Sequence, residues 1–354
     1  MKEKTNGSNI IKIEMKQWFE NLIMTIIVRM LFGKRYTEDH EVEEGKRVRK
    51  AIRTFFKLLS TFVAADFIPW LRWFDIGGYE KEMKENAKET DSILESWLLE
   101  HKKKRSCGEW KLCEDEKDFM DIMLDLFEGA KDEDLPGFDA DTIIKSTCLA
   151  MLAGGTENTV VTLTWMLSLL LNNPHAMEKA KVELDIYVGR NILVGESHVK
   201  NLVYLQATVK ESLRLYPPGP LSPPHESIEN CIIGGYNISK GTRLFFNLWR
   251  IQRDSSVWLE HDIFKPERFL TTHKDIDVRG NHFELIPFGG GRRMCPGISA
   301  TLVMLHLILA NVLHAFEIRR PTDEPIDMIE SFVTSNLKAT LEVLCCSKAV
   351  PKFV

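Results

Sequence analysis

The sequence predicts a mainly α fold with a small β part, organised as a single domain over residues 1–354. Segments with apolar residues at helical spacing, closed by glycine or proline, fill most of the chain before residue 220. Strand signals first occur near residue 231. The 354 residues are 44% hydrophobic and 27% charged, as in globular proteins. A chain of this length can bury a large core.

The longest predicted helix, residues 142–171, is apolar nearly all round, which predicts burial on most of its sides. Gly33 ends the first helix with a C-cap signal, Pro174 closes the longest one, and Pro217 follows the helix that precedes the strands. The helices are predicted at residues 15–32, 45–63, 79–104, 119–127, 142–171, 175–188, 203–215 and 298–316.

An aromatic stretch at residues 66–75 lies between the second and third predicted helices and is ended by Gly77 and Gly78. It is too broken for a long element and too apolar for a plain loop. Two interpretations stay open: a surface that meets lipid or substrate, and a loop packed on the core. A polar loop is predicted at residues 106–117.

Short strands separated by glycine-containing turns predict the small β part. The turns are Gly234-Gly235 and Lys240-Gly241. The strands are predicted at residues 231–233, 236–238, 243–247, 316–319 and 338–344.

The net charge, the cysteines and the lengths of the apolar segments bear on the partners and the cellular compartment of the protein. A formal net charge of −5 gives no reason to expect nucleic acid as a partner. Seven cysteines without zinc-type spacing indicate a reducing compartment. No segment is predicted to reach the length of a membrane span, because the best candidate, residues 22–31, is short and contains Arg29. No secretory signal is predicted.

A glycine-rich turn at residues 287–297 contains a single cysteine, Cys295, directly after Arg292, Arg293 and Met294. A thiolate at neutral pH needs nearby positive charge, backbone N–H groups directed at the sulfur, or a metal. The turn offers the first two, and an apolar helix follows it, so its dipole also favours a negative sulfur. The alternative is a buried, inert cysteine in a glycine turn.

Two glycines, Gly154 and Gly155, and one acid, Glu157, interrupt the long apolar helix. Glycine inside a helix costs about 1 kcal/mol relative to alanine, and an acid between apolar turns carries a desolvation penalty. These features favour close approach to a flat ligand and proton handling, although a crossing helix would explain them equally well. Glu211 and Arg214 lie one turn apart on another helix, which alone indicates a surface ion pair.

The cysteine turn carries the pattern Phe-x-x-Gly-x-Arg-x-Cys-x-Gly, formed by Phe288, Gly291, Arg293, Cys295 and Gly297. This pattern resembles the haem-binding loop of the cytochrome P450 superfamily, the haem-thiolate monooxygenases. The resemblance implies haem b (iron protoporphyrin IX) with Cys295 as the axial metal ligand. Phe288 would cover the sulfur, the two glycines would shape the loop, and Arg293 would contact a haem propionate.

Other motifs extend the resemblance along the chain. Residues 153–159 resemble the family's oxygen-activation segment, which implies catalytic roles for Glu157, Asn158 and Thr159. Asn158 replaces the usual proton-relay threonine, and an amide cannot relay a proton as a hydroxyl does. Coupling of oxygen cleavage to product formation is therefore in question.

The Glu-x-x-Arg pair and a Pro-Glu-Arg-Phe segment also match the family, which implies an ion network of Glu211, Arg214 and Arg268 beneath the haem. His225 lies where relatives carry a propionate contact, and a plain surface histidine is an equally good interpretation. By position in the family, substrate contacts are expected at Ala150, Ala153, Leu221 and Val333.

The detailed resemblance is to plant microsomal members that oxidise alkaloids, furanocoumarins, flavones and terpenoid alcohols. It implies a monooxygenase of plant secondary metabolism that inserts one oxygen atom from O2 into a small lipophilic metabolite. Its electrons would come from NADPH through NADPH–cytochrome P450 reductase, and the protein would be a monomer. The full-length family member would lie at the endoplasmic reticulum membrane, on the cytosolic face.

The resemblance covers essentially the whole chain but not the whole family fold. We expect a cytochrome P450 fold that lacks its N-terminal anchor and first helices, with a central oxygen-side helix at residues 142–171 and a haem-ligand loop at residues 286–297. Two other functions stay open. One is an inactive, truncated haem-binding remnant, and the other is a haem-thiolate isomerase or dehydratase that rearranges a peroxide.

Overall fold

The computed structural model describes residues 10–34, 42–59, 61–107, 117–129, 135, 137–189, 192–330, 338 and 340–347. The chain divides into two compact units. The N-terminal unit is Glu20–Glu157, and the C-terminal unit is Met1–Phe19 together with Asn158–Val354. The mainly α fold with a small β part is confirmed, whereas the organisation as one domain stays a prediction.

Helices dominate the N-terminal unit because apolar side chains recur at helical spacing along its segments. At the first helix, Phe32 packs against Trp97 with ring centroids 4.3 Å apart. Gly33 has a φ of +64° and donates its N–H to the Arg29 carbonyl, as predicted for a C-cap. The helices are α1 (Met15–Phe32), α2 (Val42–Leu59), α3 (Tyr79–Ser106), α4 (Phe119–Leu126) and α5 (Ala140–Asn172).

The second predicted helix is displaced, because α2 occupies Val42–Leu59 rather than residues 45–63. The aromatic stretch forms two short 3-10 turns, Ala64–Asp66 and Pro69–Phe74. Trp73 in this stretch is 90% exposed, so the interpretation as a loop packed on the core is wrong. Most of the predicted polar loop at 106–117 lies outside the described residues.

The second half of α5 belongs to the C-terminal unit and is buried from Val160 to Leu171. Its hydroxyl groups carry little desolvation cost because they donate to helix carbonyls four residues earlier. These bonds measure 2.8 Å for Thr162, 2.7 Å for Thr164 and 2.8 Å for Ser168.

The remaining helices of the C-terminal unit are α6 (Pro174–Tyr187), α7 (Glu196–Val199), α8 (Val203–Leu215), α9 (Leu248–Ile251) and α10 (Ile298–Ala315). The N-terminus of α8 is capped from α6, since the Glu183 carboxylate accepts the N–H groups of Tyr204 and Leu205 at 2.7 and 2.9 Å. This contact fixes α8, which carries Glu211 and Arg214.

Among its described residues, the C-terminal unit also has three small antiparallel sheets. The strands are β1 (Ile10–Glu14), β2 (His225–Glu226), β3 (Cys231–Ile233), β4 (Tyr236–Ile238), β5 (Arg243–Leu244), β6 (Phe316–Arg319) and β7 (Glu342–Ser347). Their order is β1-β7-β6 in the first sheet, with β2 paired to β5 and β3 paired to β4.

Two predicted strands differ from the observed ones. β7 begins at Glu342 instead of residue 338, because pairing with both β1 and β6 sets its register; Cys345 lies opposite Ile11 on one side and Ile318 on the other. β5 ends at Leu244 because Asn247 instead caps α9, accepting the Arg250 N–H at 2.9 Å.

Among the described residues, α10 is long and apolar enough to cross a membrane, with a mean hydropathy of 1.8 over Ile298–Ala315. The prediction that no segment reaches this length is therefore wrong. Since 56% of the helix is buried inside the protein, and a buried core helix meets the same criterion, the finding is weak evidence for a span.

Candidate active site

The loop around Cys295 is built by two turns. A 3-10 turn at Gly291–Arg293 leads into Met294, and the Cys295 N–H donates to the Phe288 carbonyl at 3.0 Å. Gly291 has a φ of +67°, a left-handed conformation that a side chain would strain. The hydrogen bond between Phe288 and Cys295 therefore closes a loop that contains the glycines, and Cys295 is the last residue of this loop.

Cys295 is a free, half-buried cysteine directly before the first turn of α10. A Cβ built on Gly297 would lie 3.8 Å from the Cys295 sulfur, which places the sulfur beside the N-terminal end of the helix. Backbone N–H groups at a helix N-terminus favour a negative sulfur. The loop therefore presents a thiol suited to bind a metal as thiolate.

Cations accompany the thiol. Arg292 and Arg293 are both exposed, and neither forms an ion pair with a carboxylate within the described ranges. His225 lies in β2, half-buried, with its ring edge against Phe246 at a centroid distance of 5.4 Å. A free thiol with two arginines just before it in the chain fits the iron and the carboxylates of a haem, so Cys295 would hold the metal and Arg293 a propionate.

A buried ion network joins Glu211 and Arg214 of α8 to Arg268, which lies in the 3-10 turn Pro266–Leu270. Their exposed fractions are 0%, 0% and 4%. Arg214 is bidentate to the carboxylate at 2.8 and 2.9 Å, and Arg268 Nε donates to Glu211 Oε1 at 3.0 Å. The Lys265 N–H is the fourth donor to the carboxylate, to which it donates at Oε1 over 2.9 Å. The isolated-surface-pair interpretation of Glu211 and Arg214 is therefore wrong; the role of the network in haem binding stays a prediction.

The other guanidinium N–H groups of Arg214 and Arg268 donate to carbonyls of the segment between Gln252 and Ile263. Arg214 also lies 5.2 Å from the centroid of the Trp258 ring, a cation–π contact. Each arginine donates to backbone carbonyls, and the acceptors are those of Gln252, Leu259, Glu260, His261 and Ile263. One carboxylate thus fixes the segment before the cysteine loop to α8.

The oxygen-side segment lies where the two units meet in sequence. Glu157 is half-buried and ends the N-terminal unit, whereas the exposed Asn158 and the 1% exposed Thr159 begin the C-terminal unit. The Asn158 carbonyl accepts the Thr162 hydroxyl at 2.8 Å. Thr156 Oγ1 donates to the Leu152 carbonyl at 2.5 Å. The Thr156 hydroxyl is thus bonded to the helix backbone, while Asn158 presents its amide at the surface.

The expected substrate contacts are distributed unevenly. Ala150 is exposed on α5 and Ala153 is 7% exposed, both in the N-terminal unit. Leu221 is 56% exposed in the C-terminal unit and bridges to Asn247. Val333 lies outside the described residues. The substrate role of all four positions stays a prediction.

Sequence reasoning missed Gly280, which lies against the cysteine loop. A Cβ built on Gly280 would lie 3.0 Å from the Gly289 carbonyl oxygen, 3.1 Å from Met294 Sδ and 3.2 Å from Gly290 Cα. The sequence signal was weak, because a single glycine within Arg279-Gly280-Asn281 indicates only a turn.

A second titratable cluster, in the N-terminal unit, was also missed. The ring nitrogens of His101 face two oxygens, the Trp97 carbonyl at 2.7 Å and Asp118 Oδ2 at 2.8 Å. Burial alone would lower the pKa of His101, but these hydrogen bonds and the Asp118 charge raise it above its usual value. Asp118 also caps α4 by accepting the Asp121 N–H at 3.0 Å. The pair therefore ties α3 to the start of α4.

A glycine loop with a free thiol, followed by an apolar helix and preceded by a buried Glu-Arg-Arg network, is the arrangement expected of a haem-thiolate protein. Residues 1–343 match the model of the family described as Cytochrome P450. The chain belongs to the cytochrome P450 family, which implies haem as its cofactor.

Named relatives and solved structures agree with this assignment. The chain is 51% identical to the strychnine-10-hydroxylase of Strychnos nux-vomica over 99% of this chain and 66% of that relative. It is 48% identical to the flavonoid-6-hydroxylase of Mentha piperita over 99% of this chain and 67% of that relative. A zebrafish cytochrome P450 solved with progesterone has the same fold, with a TM-score of 0.80, 25% identity and coverage of 97% of this chain and 73% of that structure.

The chain is shorter than its relatives. It spans 66% of the strychnine-10-hydroxylase and 63% of cytochrome P450 82A1 of Pisum sativum, to which it is 51% identical over 97% of this chain.

Proposed function

We propose that this protein is a haem-thiolate monooxygenase that inserts one oxygen atom from O2 into a small lipophilic plant metabolite. The observation that carries the proposal is the free, half-buried Cys295 at the end of a closed glycine loop beside the N-terminus of α10. The hydroxylase names of relatives near 50% identity support the reaction class. Strychnine and flavonoids, named for those relatives, indicate the size and polarity of the expected substrate.

When bound, haem would supply activation of dioxygen. Cys295 would donate electron density to the metal as a thiolate. Arg293 would hold a propionate. On the oxygen side, the Glu157 carboxylate would hold a proton, and the Asn158 amide would orient a water through its N–H and carbonyl groups without relaying a proton.

Electron supply and location belong to the same proposal. NADPH would be used through NADPH–cytochrome P450 reductase, and the protein would work at the endoplasmic reticulum membrane as a monomer. An aromatic surface in the N-terminal unit supports the location, because Trp and Phe side chains beside Arg and Lys favour the membrane interface. Its exposed members, at 60–90% exposure, are Leu59, Phe62, Phe67, Trp70, Trp73, Phe74 and Ile76.

The test is replacement of the thiol. Cys295→Ala should abolish the long-wavelength absorption band of the reduced carbon-monoxide complex, because that band requires sulfur ligation. Cys231→Ala is the matched control, since Cys231 is also free and half-buried in the C-terminal unit. If the band survives in Cys295→Ala, Cys295 is not the ligand and the proposal is wrong. If the unaltered chain binds no haem, the proposal is also wrong, and an inactive haem-free protein is the better account.

Asn158 favours a second candidate, a haem-thiolate isomerase or dehydratase acting on a peroxide, because that class dispenses with a relay threonine. The intact cysteine loop favours the monooxygenase. Turnover of a lipophilic substrate that requires NADPH and reductase would support the monooxygenase, whereas turnover of an organic hydroperoxide alone would support the isomerase.

A further inference from the structure

A short stretch, residues 276–280, joins α8 and α10 to the cysteine loop, and we name it the buttress segment. Lys210 of α8 donates through Nζ to the Ile276 carbonyl at 2.8 Å. Arg279 Nη1 donates to Ser299 Oγ in the first turn of α10 at 3.2 Å. Val278, between them, is 1% exposed. The segment is therefore anchored at both ends and cannot move away from the loop without breaking these contacts.

Gly280, at the end of the buttress segment, touches the cysteine loop through backbone atoms. Its φ of +78° would strain any side chain, and the 3.0–3.2 Å distances from its built Cβ to Gly289 O, Met294 Sδ and Gly290 Cα mean that these neighbours would have to shift to admit one. A side chain forced into such tight contacts pushes its neighbours apart, and overpacking of this kind is destabilising. Two of the three neighbours are backbone atoms, so a side chain at Gly280 would displace the loop itself.

Displacement at Gly289 and Gly290 reaches the thiol through one hydrogen bond. Phe288 directly precedes Gly289, and its carbonyl accepts the Cys295 N–H at 3.0 Å. Met294, the third neighbour of Gly280, directly precedes Cys295. A shift of either neighbour of Gly280, the Gly289–Gly290 backbone or Met294, would therefore move Cys295 directly.

We propose that Gly280 is a positioning residue for the Cys295 thiolate: the absence of a side chain lets the buttress segment hold the cysteine loop in its ligand-binding shape. The inference rests on the proposed function, because it assigns Gly280 a role in metal ligation. It goes beyond that function by adding a residue outside the cysteine motif to the determinants of thiolate geometry.

Gly280→Ala tests the proposal, with Gly241→Ala as its matched control. Gly241 has a φ of +83° in the same unit and nothing within 4 Å of a built Cβ, so both variants acquire the same backbone strain and only Gly280→Ala acquires the contact. We expect Gly280→Ala to release haem about tenfold faster than Gly241→Ala, equivalent to ~1.4 kcal/mol. Its reduced carbon-monoxide spectrum should shift toward the form without sulfur ligation.

A readout on the haem-free chain separates this inference from the proposed function. Iodoacetamide labelling, resolved by peptide mass spectrometry, should modify Cys295 faster in Gly280→Ala than in Gly241→Ala. Cys345, 7% exposed in β7, reports on folding of the unit and should label equally slowly in both.

Equal spectra, haem release and Cys295 labelling in the two variants would overturn the positioning role. If Cys295 labelling differs but the unaltered chain shows no sulfur-ligated haem, the proposed function fails, and with it the role of Gly280 in ligation. Should Gly280→Ala fail to accumulate, Arg279→Ala replaces it, because this half-exposed side chain anchors the buttress segment to Ser299 at little cost in stability. Unchanged haem release in Arg279→Ala would likewise refute the inference.

Discussion

Replacing Glu211 by glutamine (Glu211→Gln) removes the negative charge that lies between the two buried guanidinium groups of Arg214 and Arg268. The carboxylate accepts hydrogen bonds from both arginines and from the Lys265 N–H at 2.8–3.0 Å. A glutamine keeps one acceptor oxygen and turns an NH2 group toward the remaining donors. Two buried cations are then left without a counter-charge.

Loss of one partner from a buried ion pair costs about 3–5 kcal/mol, because the remaining charge stays desolvated. Glu211 and Arg214 are both 0% exposed, so solvent screening does not reduce this figure. A globular domain is typically stable by about 5–15 kcal/mol. We therefore expect Glu211→Gln to lose a large part of the free energy of unfolding of the C-terminal unit.

The measurement is the urea midpoint followed by far-UV circular dichroism, with the slope of the transition checked for constancy. Glu267→Gln is the matched control, since Glu267 lies beside Arg268 and pairs with Lys179 at 2.6 Å with about a third of its side chain exposed. Exposed pairs contribute up to about 1 kcal/mol. The control should therefore move the midpoint only slightly.

A midpoint for Glu211→Gln equal to that of Glu267→Gln would refute the account of the network. If Glu211→Gln does not accumulate, Arg268→Lys supplies the measurement. It keeps the positive charge but gives up the fork that reaches Glu211 and the carbonyls of Leu259 and Glu260. Its midpoint should fall below that of the control, Glu267→Gln, and a midpoint equal to the control's would refute the account of the network.

Further predictions follow from other sites. Asn158→Thr should raise the fraction of NADPH consumption that yields product, because it restores a relay hydroxyl; an unchanged ratio would remove this position from the proton path. The raised pKa of His101 means that its pair with Asp118 stabilises the fold fully below about pH 6.5 and loses this contribution as the pH rises through the raised value. His101→Asn should abolish that decline in urea midpoint, and a parallel decline in the variant would contradict the assignment. Burial raises the pKa of Cys148 to about 12, so at pH 8 iodoacetamide should modify the exposed Cys107 while Cys148 reacts only after unfolding; comparable labelling of both would show that Cys148 is not shielded.

The local elements were largely predictable because their signals lie within a few residues. The first helix, Met15–Phe32, ends at a glycine with positive φ, and the strands Cys231–Ile233 and Tyr236–Ile238 flank a Gly-Gly turn. The spacing of apolar residues and the glycine or proline residues at the ends are sufficient to predict such elements. β1, at Ile10–Glu14, was missed, since it runs into α1 without a turn and its partner β7 lies at the other end of the chain.

Within the candidate site, the residues of the Phe-x-x-Gly-x-Arg-x-Cys-x-Gly pattern could be named from the sequence, because their spacing is itself the signal. The contact between Gly280 and Gly289 could not, since it depends on the path of a loop that has no regular period. The same holds for His101, whose partner Asp118 lies beyond a stretch of sequence with no pattern that relates the two.

By itself, the sequence determined the helical class of the protein, the bounds of its well-punctuated elements and the position of the cysteine loop, because apolar period, glycine turns and motif spacing are properties of neighbouring residues. The tertiary structure alone decided which strands pair with β7, that the network around Glu211 also takes the Lys265 N–H, and that Gly280 lies against the loop. These features depend on groups brought together from distant parts of the chain, where burial determines which charges and which side chains can be accommodated.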